Sequence, residues 1–134
     1  MTNLMDVYVC ELCGNIVEVL GEGDGELVCC GQAMTLQKEG MSDAAKEKHV
    51  PVIEFPNNRV VVKVGQIPHP MEPNHSIEWI EFQEGNQVKR HHLKPGDKPI
   101  AEFCTNGGSF TVRAYCNLHG LWKNSCSCGP KCNC

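Results

Sequence analysis

The sequence predicts an all-β protein in which a small, cysteine-stapled module precedes a β-sandwich. Two cysteine pairs, Cys10 with Cys13 and Cys29 with Cys30, enclose a short segment that contains three glycines. So small a unit cannot bury a self-sufficient core and needs a staple. From about residue 49 to residue 123, short runs rich in β-branched and aromatic residues alternate with turn signals, and no helical period is present. These observations predict the fold class before any chemistry is considered.

The first unit, residues 1–37, contains enough thiols to hold one metal ion. Cys10 and Cys13 form a Cys-x2-Cys chelate, whereas Cys29 and Cys30 are adjacent in the chain. Adjacent side chains diverge, so both can reach one ion only if the backbone bends, which Gly31 favours. Four thiolates leave no open position on a tetrahedral ion, which predicts a structural or electron-transfer role. A zinc ribbon would show a second Cys-x2-Cys, but the spacing does not exclude zinc.

The second unit, residues 38–123, begins with a polar linker at 38–48 and continues with strands. Short strands at this spacing, separated by turn signals, predict a β-sandwich. In the last predicted strand, Phe110, Val112, Ala114 and Cys116 alternate onto one face, which takes Cys116 to the core side at the end of the strand. The five predicted strands are 59–64, 77–82, 87–93, 99–104 and 109–116.

Five potential metal ligands lie in proline- and glycine-rich segments of this second unit, where side chains can be aimed. Structural zinc takes four ligands and catalytic zinc three plus water, so five donors exceed both. Neutral imidazole suits iron, and an axial thiolate pushes electron density onto the metal. Five donors on an octahedral ion leave one position open, which predicts a mononuclear iron centre that meets a small oxidant. The five are His49, His69, His75, Cys116 and His119. His91 and His92 lie within a predicted strand and are expected to be structural.

Three segments of the chain resemble the catalytic motifs of superoxide reductase: EKHVP at 47–51, PHPMEPNH at 68–75 and CNLHG at 116–120. CELC at 10–13 with CC at 29–30 is similar to the desulforedoxin-type module of the two-iron form, desulfoferrodoxin. The resemblance runs from about Tyr8 to about Lys123. It implies two irons per chain, an Fe(Cys)4 site in the first module and a catalytic Fe(His)4(Cys) site. It also implies that the sandwich is immunoglobulin-like.

The resemblance further implies an activity, the one-electron reduction of superoxide to hydrogen peroxide, for superoxide detoxification. The expected electron donor is of the rubredoxin type, and the expected assembly is a homodimer. Glu47 resembles the carboxylate that occupies the open position once iron is ferric. Lys48 would add positive charge at the mouth of the site. The net charge is −4, so local field rather than net charge must govern the capture of a small anion.

Two other functions are compatible with a cluster of this kind. A superoxide dismutase would also oxidise superoxide, and stoichiometry separates the two, because a reductase consumes reductant and yields no oxygen. A pure electron carrier or metal-storage protein is the second alternative, and the open sixth position argues against it.

Three properties of the sequence limit which partners and which cell compartment we expect: its charge, its cysteine content and its N-terminus. The negative net charge argues against nucleic acid. MTNLMDVYVC is neither basic enough nor apolar enough for a signal peptide, and no stretch approaches the ~20 apolar residues of a membrane span. A cytoplasmic protein is therefore predicted, and in a reducing cytosol closely spaced cysteines are interpreted as metal ligands before disulfides.

The tail, residues 124–134, lies outside the resemblance. Cys126, Cys128, Cys132 and Cys134 supply enough thiolates for a third tetrahedral site. The preferred interpretation is a disordered terminus, because so short a tip has little else to hold it together. Cys104, alone in a strand, is expected to be a small buried hydrophobe.

Overall fold

A computed structural model describes residues 1–40 and 46–131 of the chain, with the backbone alone at residues 128 and 131. The chain divides into two compact units, Met1–Lys38 and Glu39–Cys134. The regular structure is almost entirely β, as predicted. Within the described ranges the helical segments are one four-residue turn, α1 (Lys46–His49), and a 3-10 turn at Pro56–Asn58. Neither is long and apolar enough to cross a membrane.

The first unit is built from five very short strands. A three-stranded antiparallel sheet has the order β2-β1-β5, and β3 and β4 form a separate hairpin. Val7, Cys10 and Val19 are the buried apolar residues of this unit, all of which lies in the described part of the chain. So small a core supports the expected need for a metal staple. The strands are β1 (Val7–Val9), β2 (Ile16–Glu18), β3 (Val28–Cys29), β4 (Gln32–Ala33) and β5 (Thr35–Gln37).

The second unit consists of two antiparallel sheets, which confirms the predicted sandwich-like, all-β architecture. One sheet has the order β10-β7-β6 and the other the order β12-β11-β8-β9. The strands are β6 (Pro51–Glu54), β7 (Val60–Val64), β8 (Ile77–Glu84), β9 (Gln87–His92), β10 (Ile100–Phe103), β11 (Asn106–Cys116) and β12 (Gly120–Lys131). All five predicted strands are present, and β6 and β12 are additional. The predicted linker at 38–48 contains α1, and its residues 41–45 lie outside the described part of the chain.

The core lies between the two sheets and follows the period-two alternation of their strands. Val60, Val62 and Val64 of β7 pack against Ile80 and Phe82 of β8, and all five are at most 1% exposed. The alternation predicted for β11 is correct, because Phe110, Val112, Ala114 and Cys116 are all buried in this core.

The other face of the four-stranded sheet carries a buried ion network that the sequence did not reveal. Glu81 of β8 is completely buried, and its register partners are Arg113 on β11 and Arg90 on β9. Arg113 donates from Nε and Nη2 to Glu81 Oε1 at 2.8 and 2.7 Å, and Arg90 also pairs with Glu81. Two guanidinium groups therefore compensate a carboxylate that has no access to solvent.

The interpretation of the tail as a disordered terminus is wrong for residues 124–131. β11 continues beyond the body of the sheet to Asn106 and offers backbone partners to β12, so that Phe110 pairs with Cys126 and Asn106 with Lys131. Cys126 is half-buried against the core. Cys132 and Cys134 lie outside the described residues.

The expectation for Cys104 is also wrong. Cys104 is half-buried and takes part in a disulfide, so it is not simply a small apolar side chain in the core.

Candidate metal centres

The second unit brings together all five of its predicted ligands. Their ligand atoms lie within 4.8 Å of one another. His49 ends α1, His69 follows β7, and His75 comes just before β8. Cys116 is the last residue of β11, and His119 lies in the turn before β12. Each ligand thus stands at a strand terminus or in a connection, where the sheets fix its backbone.

The four imidazole rings form a closed ring of neighbours. Adjacent ring centroids are 4.6 to 5.0 Å apart and nearly perpendicular, in the order His49, His69, His75, His119. His49 and His75 lie across from each other, with centroids 6.5 Å apart. His49 Nε2 is 3.1 Å from both His69 Nε2 and His119 Nδ1. Two nitrogens at right angles about an ion, each bonded at about 2.1 Å, would lie about 3.0 Å apart, close to that separation. The distances are those of ring nitrogens placed around a common centre.

Two features of these rings fit a cation at their common centre. His75 Nε2 is buried and has no hydrogen-bond partner among the described residues, which is costly unless an ion is bound there. His69 Nδ1 donates to the Pro70 carbonyl oxygen at 2.7 Å, which leaves its Nε2 lone pair facing the other rings. Burial is the main cause that lowers the pKa of His69 to about 4, so this ring is neutral, which is the form that binds metals.

The thiol of Cys116 completes the donor set. Its Sγ lies 3.8 Å from His119 Nδ1, and the residue is fully buried. Burial raises the pKa of this thiol, although the backbone N–H groups of Leu118 and His119 oppose the shift. A nearby cation would reverse the balance and favour the thiolate. Four imidazoles and one thiolate therefore fit an iron ion and match no common zinc site.

Trp122 supports two of the ligands and was not identified from the sequence. Its buried ring stacks on His49 with centroids 5.0 Å apart. Its Nε1 donates to the carbonyl oxygen of His119 at 3.2 Å. The sequence offered one signal for Trp122, which is its position three residues after His119 in the following strand. That position indicates a contact with His119 but not the contact with His49.

Glu47 and Lys48 lie exposed on α1, directly before His49. The positive charge of Lys48 contributes to lowering the pKa of His75, after burial and His119, so Lys48 lies within electrostatic reach of the cluster. The turn rests on Gly65, where an added Cβ would lie 2.7 Å from the Glu47 carbonyl oxygen. The same oxygen accepts a hydrogen bond from Ile67 N at 2.9 Å. The backbone that carries both charges is therefore held in place.

The first unit brings together its four predicted cysteines, whose sulfurs also lie within 4.8 Å of one another. Cys29 Sγ is 3.6 Å from Cys13 Sγ and 3.9 Å from Cys30 Sγ. The bend expected at Gly31 begins one residue earlier, because Cys30 has φ 54° and Gly31 has φ 77°. Two consecutive residues in this conformation let neighbouring cysteines turn toward one ion. A hydrogen bond from the Cys13 backbone is the main cause that lowers the pKa of Cys10 to about 6.

His91 and His92 belong to neither metal-binding group of the described residues. Both are exposed on β9, and the His91 ring contacts Phe103 with centroids 4.7 Å apart.

Comparisons with known proteins match both regions of the chain that contain a metal-binding cluster. The sequence profile described as desulfoferrodoxin matches residues 41–125, and the profile of the desulfoferrodoxin N-terminal domain matches residues 2–37. A desulfoferrodoxin from Syntrophotalea carbinolica is 58% identical over 124 residues, which cover 92% of this chain and 98% of that protein.

Solved structures show the same likeness. The superoxide reductase from Treponema pallidum superposes with a TM-score of 0.70 at 28% identity, covering 88% of this chain and 98% of that one. The one-iron superoxide reductase from Giardia intestinalis has a TM-score of 0.53 at 33% identity and covers 61% of this chain and 99% of its own.

Proposed function

The chain belongs to the desulfoferrodoxin family, and on that premise we propose that it is a two-iron superoxide reductase. The observation that carries the proposal is the ring of four imidazoles with one buried thiol, whose ligand atoms all lie within 4.8 Å of one another. A structural zinc site is complete with four protein donors. Five donors leave room for one small ligand on an octahedral ion, and superoxide is such a ligand.

The proposal assigns a metal-binding role to nine side chains. The catalytic iron is held by His49, His69, His75, Cys116 and His119, and the second iron by Cys10, Cys13, Cys29 and Cys30. When bound, the catalytic iron supplies the electron that reduces superoxide. Superoxide takes up one electron and two protons and leaves as hydrogen peroxide, and a rubredoxin-type donor returns the electron to the protein. The role of the chain is to supply the four imidazoles and a buried thiol that would ionise when the metal binds.

Lys48 and Glu47 are proposed to act at the mouth of this site. Lys48 attracts the anionic substrate, since its charge reaches the cluster despite the net charge of −4. Glu47 would supply a carboxylate to the iron in its ferric form. The finer parts of the proposal are the homodimer and the cytoplasmic location. The two clusters of free cysteines favour a reducing compartment for this location, whereas the disulfide at Cys104 does not.

Stoichiometry tests the reaction itself. Iron analysis should give two irons per chain, and the oxidised protein should show separate visible bands for the Fe(Cys)4 site and the thiolate–ferric site. Superoxide consumption should require reductant, form hydrogen peroxide and release no oxygen. Oxygen release without reductant would identify a dismutase instead.

Lys48→Ala should slow superoxide capture by about tenfold at low salt and leave the iron content unchanged. Steered encounters can approach ~10⁹ M⁻¹s⁻¹, and the loss of one local charge removes part of that advantage. Pulse radiolysis across ionic strength measures the effect, and the variant should depend less on salt than the wild type does. Lys46→Ala is the matched control, because Lys46 is exposed on the same turn and does not contribute to the pKa of His75. Equal rates for Lys48→Ala and wild type would remove Lys48 from the mechanism.

Glu47→Ala should leave the capture rate nearly normal and change the spectrum of the ferric state, because its carboxylate matters only after electron transfer. Stopped-flow absorption of the oxidised variant checks the spectrum. An identical ferric spectrum would contradict the role assigned to Glu47.

Cys13→Ser should remove the iron of the first unit and leave the reaction of pre-reduced enzyme with superoxide nearly unchanged. The four cysteines all lie in residues 1–38, and none belongs to the histidine cluster. Iron content should fall from two to one per chain, with loss of the Fe(Cys)4 band. A large drop in the bimolecular rate would show that the two centres are not independent.

A further inference from the structure

We infer that Asn117 is a positioning residue for the catalytic centre, because its amide fastens the loop that carries His75 to the turn that carries Cys116 and His119. The inference rests on the proposed iron site and deepens it. Both polar atoms of the Asn117 side chain are bonded to backbone groups, so it offers no free ligand atom to the cluster. It acts only through the ligands on either side of it.

Three hydrogen bonds make this connection. Asn117 Oδ1 accepts from Ser76 N at 3.0 Å, and Asn117 Nδ2 donates to the Asn74 carbonyl oxygen at 3.1 Å. The backbone N–H of Asn117 donates to the Ser76 carbonyl oxygen at 3.2 Å. Asn74 and Ser76 are the two neighbours of His75, so one side chain holds the backbone on both sides of a ligand.

The loop to which Asn117 is hydrogen-bonded contains a closed turn, residues 72–75. Glu72 N donates to the His75 carbonyl oxygen at 2.9 Å, and His75 N donates to the Glu72 carbonyl oxygen at 3.1 Å. This reciprocal pair makes residues 72–75 a small rigid unit. The remaining freedom of His75 is therefore the placement of the whole turn against the β11–β12 connection. The Asn117 hydrogen bonds set that placement together with the pairing of Ile77 and Cys116.

His75 needs this support more than the other histidine ligands do. The His69 ring is oriented by its own hydrogen bond to Pro70. The His49 ring is stacked on Trp122. His119 is anchored through its carbonyl oxygen by the indole of Trp122. None of the hydrogen bonds among the described residues reaches the His75 ring, so its backbone must place it.

Both ends of the amide are needed, which distinguishes this role from simple space filling. An aspartate at position 117 has the same shape and can still accept from Ser76 N–H. Its second oxygen would face the Asn74 carbonyl oxygen, where two acceptors repel each other. Because the Asn117 side chain is exposed, water competes for these bonds, and the effect should lie at the lower end of the range for residues that support metal ligands.

The test compares Asn117→Ala and Asn117→Asp with Asn124→Ala. Asn124 is a matched control, because its Nδ2 donates to the Pro51 carbonyl oxygen at 2.9 Å and its Oδ1 accepts from Ser125 N, yet neither of these partners is adjacent to a proposed ligand. The rate at which a chelator removes the catalytic iron should rise about tenfold in both Asn117 variants. Their thiolate–ferric band should also shift, whereas Asn124→Ala keeps the wild-type band.

Two outcomes would overturn the inference. In one, both Asn117 variants match Asn124→Ala in chelation rate and band position. In the other, Asn117→Asp behaves as wild type, which would show that the amide donor is irrelevant. Failure of the proposed function would look different, because the wild-type protein would then bind no iron at the histidine cluster and show no such band.

Discussion

Replacing Cys116 by serine should abolish superoxide reduction while leaving the fold in place. Cys116 is fully buried at the end of β11 and is the one sulfur among the five donors of the cluster. A serine hydroxyl does not ionise near neutral pH and cannot supply the electron density of a thiolate. The rate measured by pulse radiolysis should fall by at least about 100-fold, more than the loss of a residue that only supports a ligand. The sandwich core should tolerate the change, because serine is slightly smaller than cysteine.

The control for this experiment is Cys126→Ser. Cys126 is a free, half-buried cysteine that packs against the same core and lies outside both metal-binding groups. It should keep the wild-type rate and the thiolate–ferric band. Near-normal turnover of Cys116→Ser would contradict the five-ligand site.

Glu81→Leu should destabilise the second unit by about 3–5 kcal/mol, because it removes the carboxylate 2.7 Å from the buried guanidinium of Arg113 and leaves Glu39 Oε1, 3.8 Å from Arg113 Nη1, as a more distant anion. Arg113 is 4% exposed, so water cannot take the place of the carboxylate. Urea unfolding followed by tryptophan fluorescence measures the loss. Both tryptophans of the chain, Trp79 and Trp122, lie in this unit, so the fluorescence reports on it alone.

Two comparisons make that result specific. Glu102→Gln breaks an ion pair with Arg59 whose side chains are 47% and 50% exposed, and it should cost less than about 1 kcal/mol. The double variant Glu81→Leu with Arg113→Met removes both buried charges and should regain part of the stability lost by Glu81→Leu. If Glu81→Leu costs no more than Glu102→Gln, the network does not contribute as its burial indicates.

The ligands and most strands could be predicted because their signals are local. In β11 the alternation of Phe110, Val112, Ala114 and Cys116 is a pattern of period two, and the structure buries all four. The five donors of the second unit stand in short motifs whose order along the chain is diagnostic. The four cysteines of the first unit are grouped in two pairs. None of these predictions requires knowledge of which segments meet in space.

The missed features all depend on distant partners. The alternation of β8 predicts a solvent-facing Glu81, and its burial depends on Arg90 in the next strand and on Arg113, 32 residues later. The segment after Lys123 has no strand pattern, yet β11 pairs with it as far as Lys131. Trp122 and Asn117 support ligands through contacts with segments more than 40 residues away. Composition and spacing carry no information about such contacts.

The five ligands of the catalytic centre come from connections of both sheets, from His49 before β6 to His119 before β12. An ion at their centre would cross-link one end of the sandwich. Because the unfolded chain lacks this site, the free energy of metal binding would add to the free energy of unfolding. The second unit should therefore melt at a temperature that rises with free ferrous iron, by the equivalent of about 2.7 kcal/mol at 100 times the dissociation constant. Burial keeps the metal-free thiol of Cys116 protonated, so the binding of iron should release a proton. The affinity for iron should therefore fall as the pH falls. An acidified or iron-starved cell would lose the enzyme to unfolding as well as to inactivity.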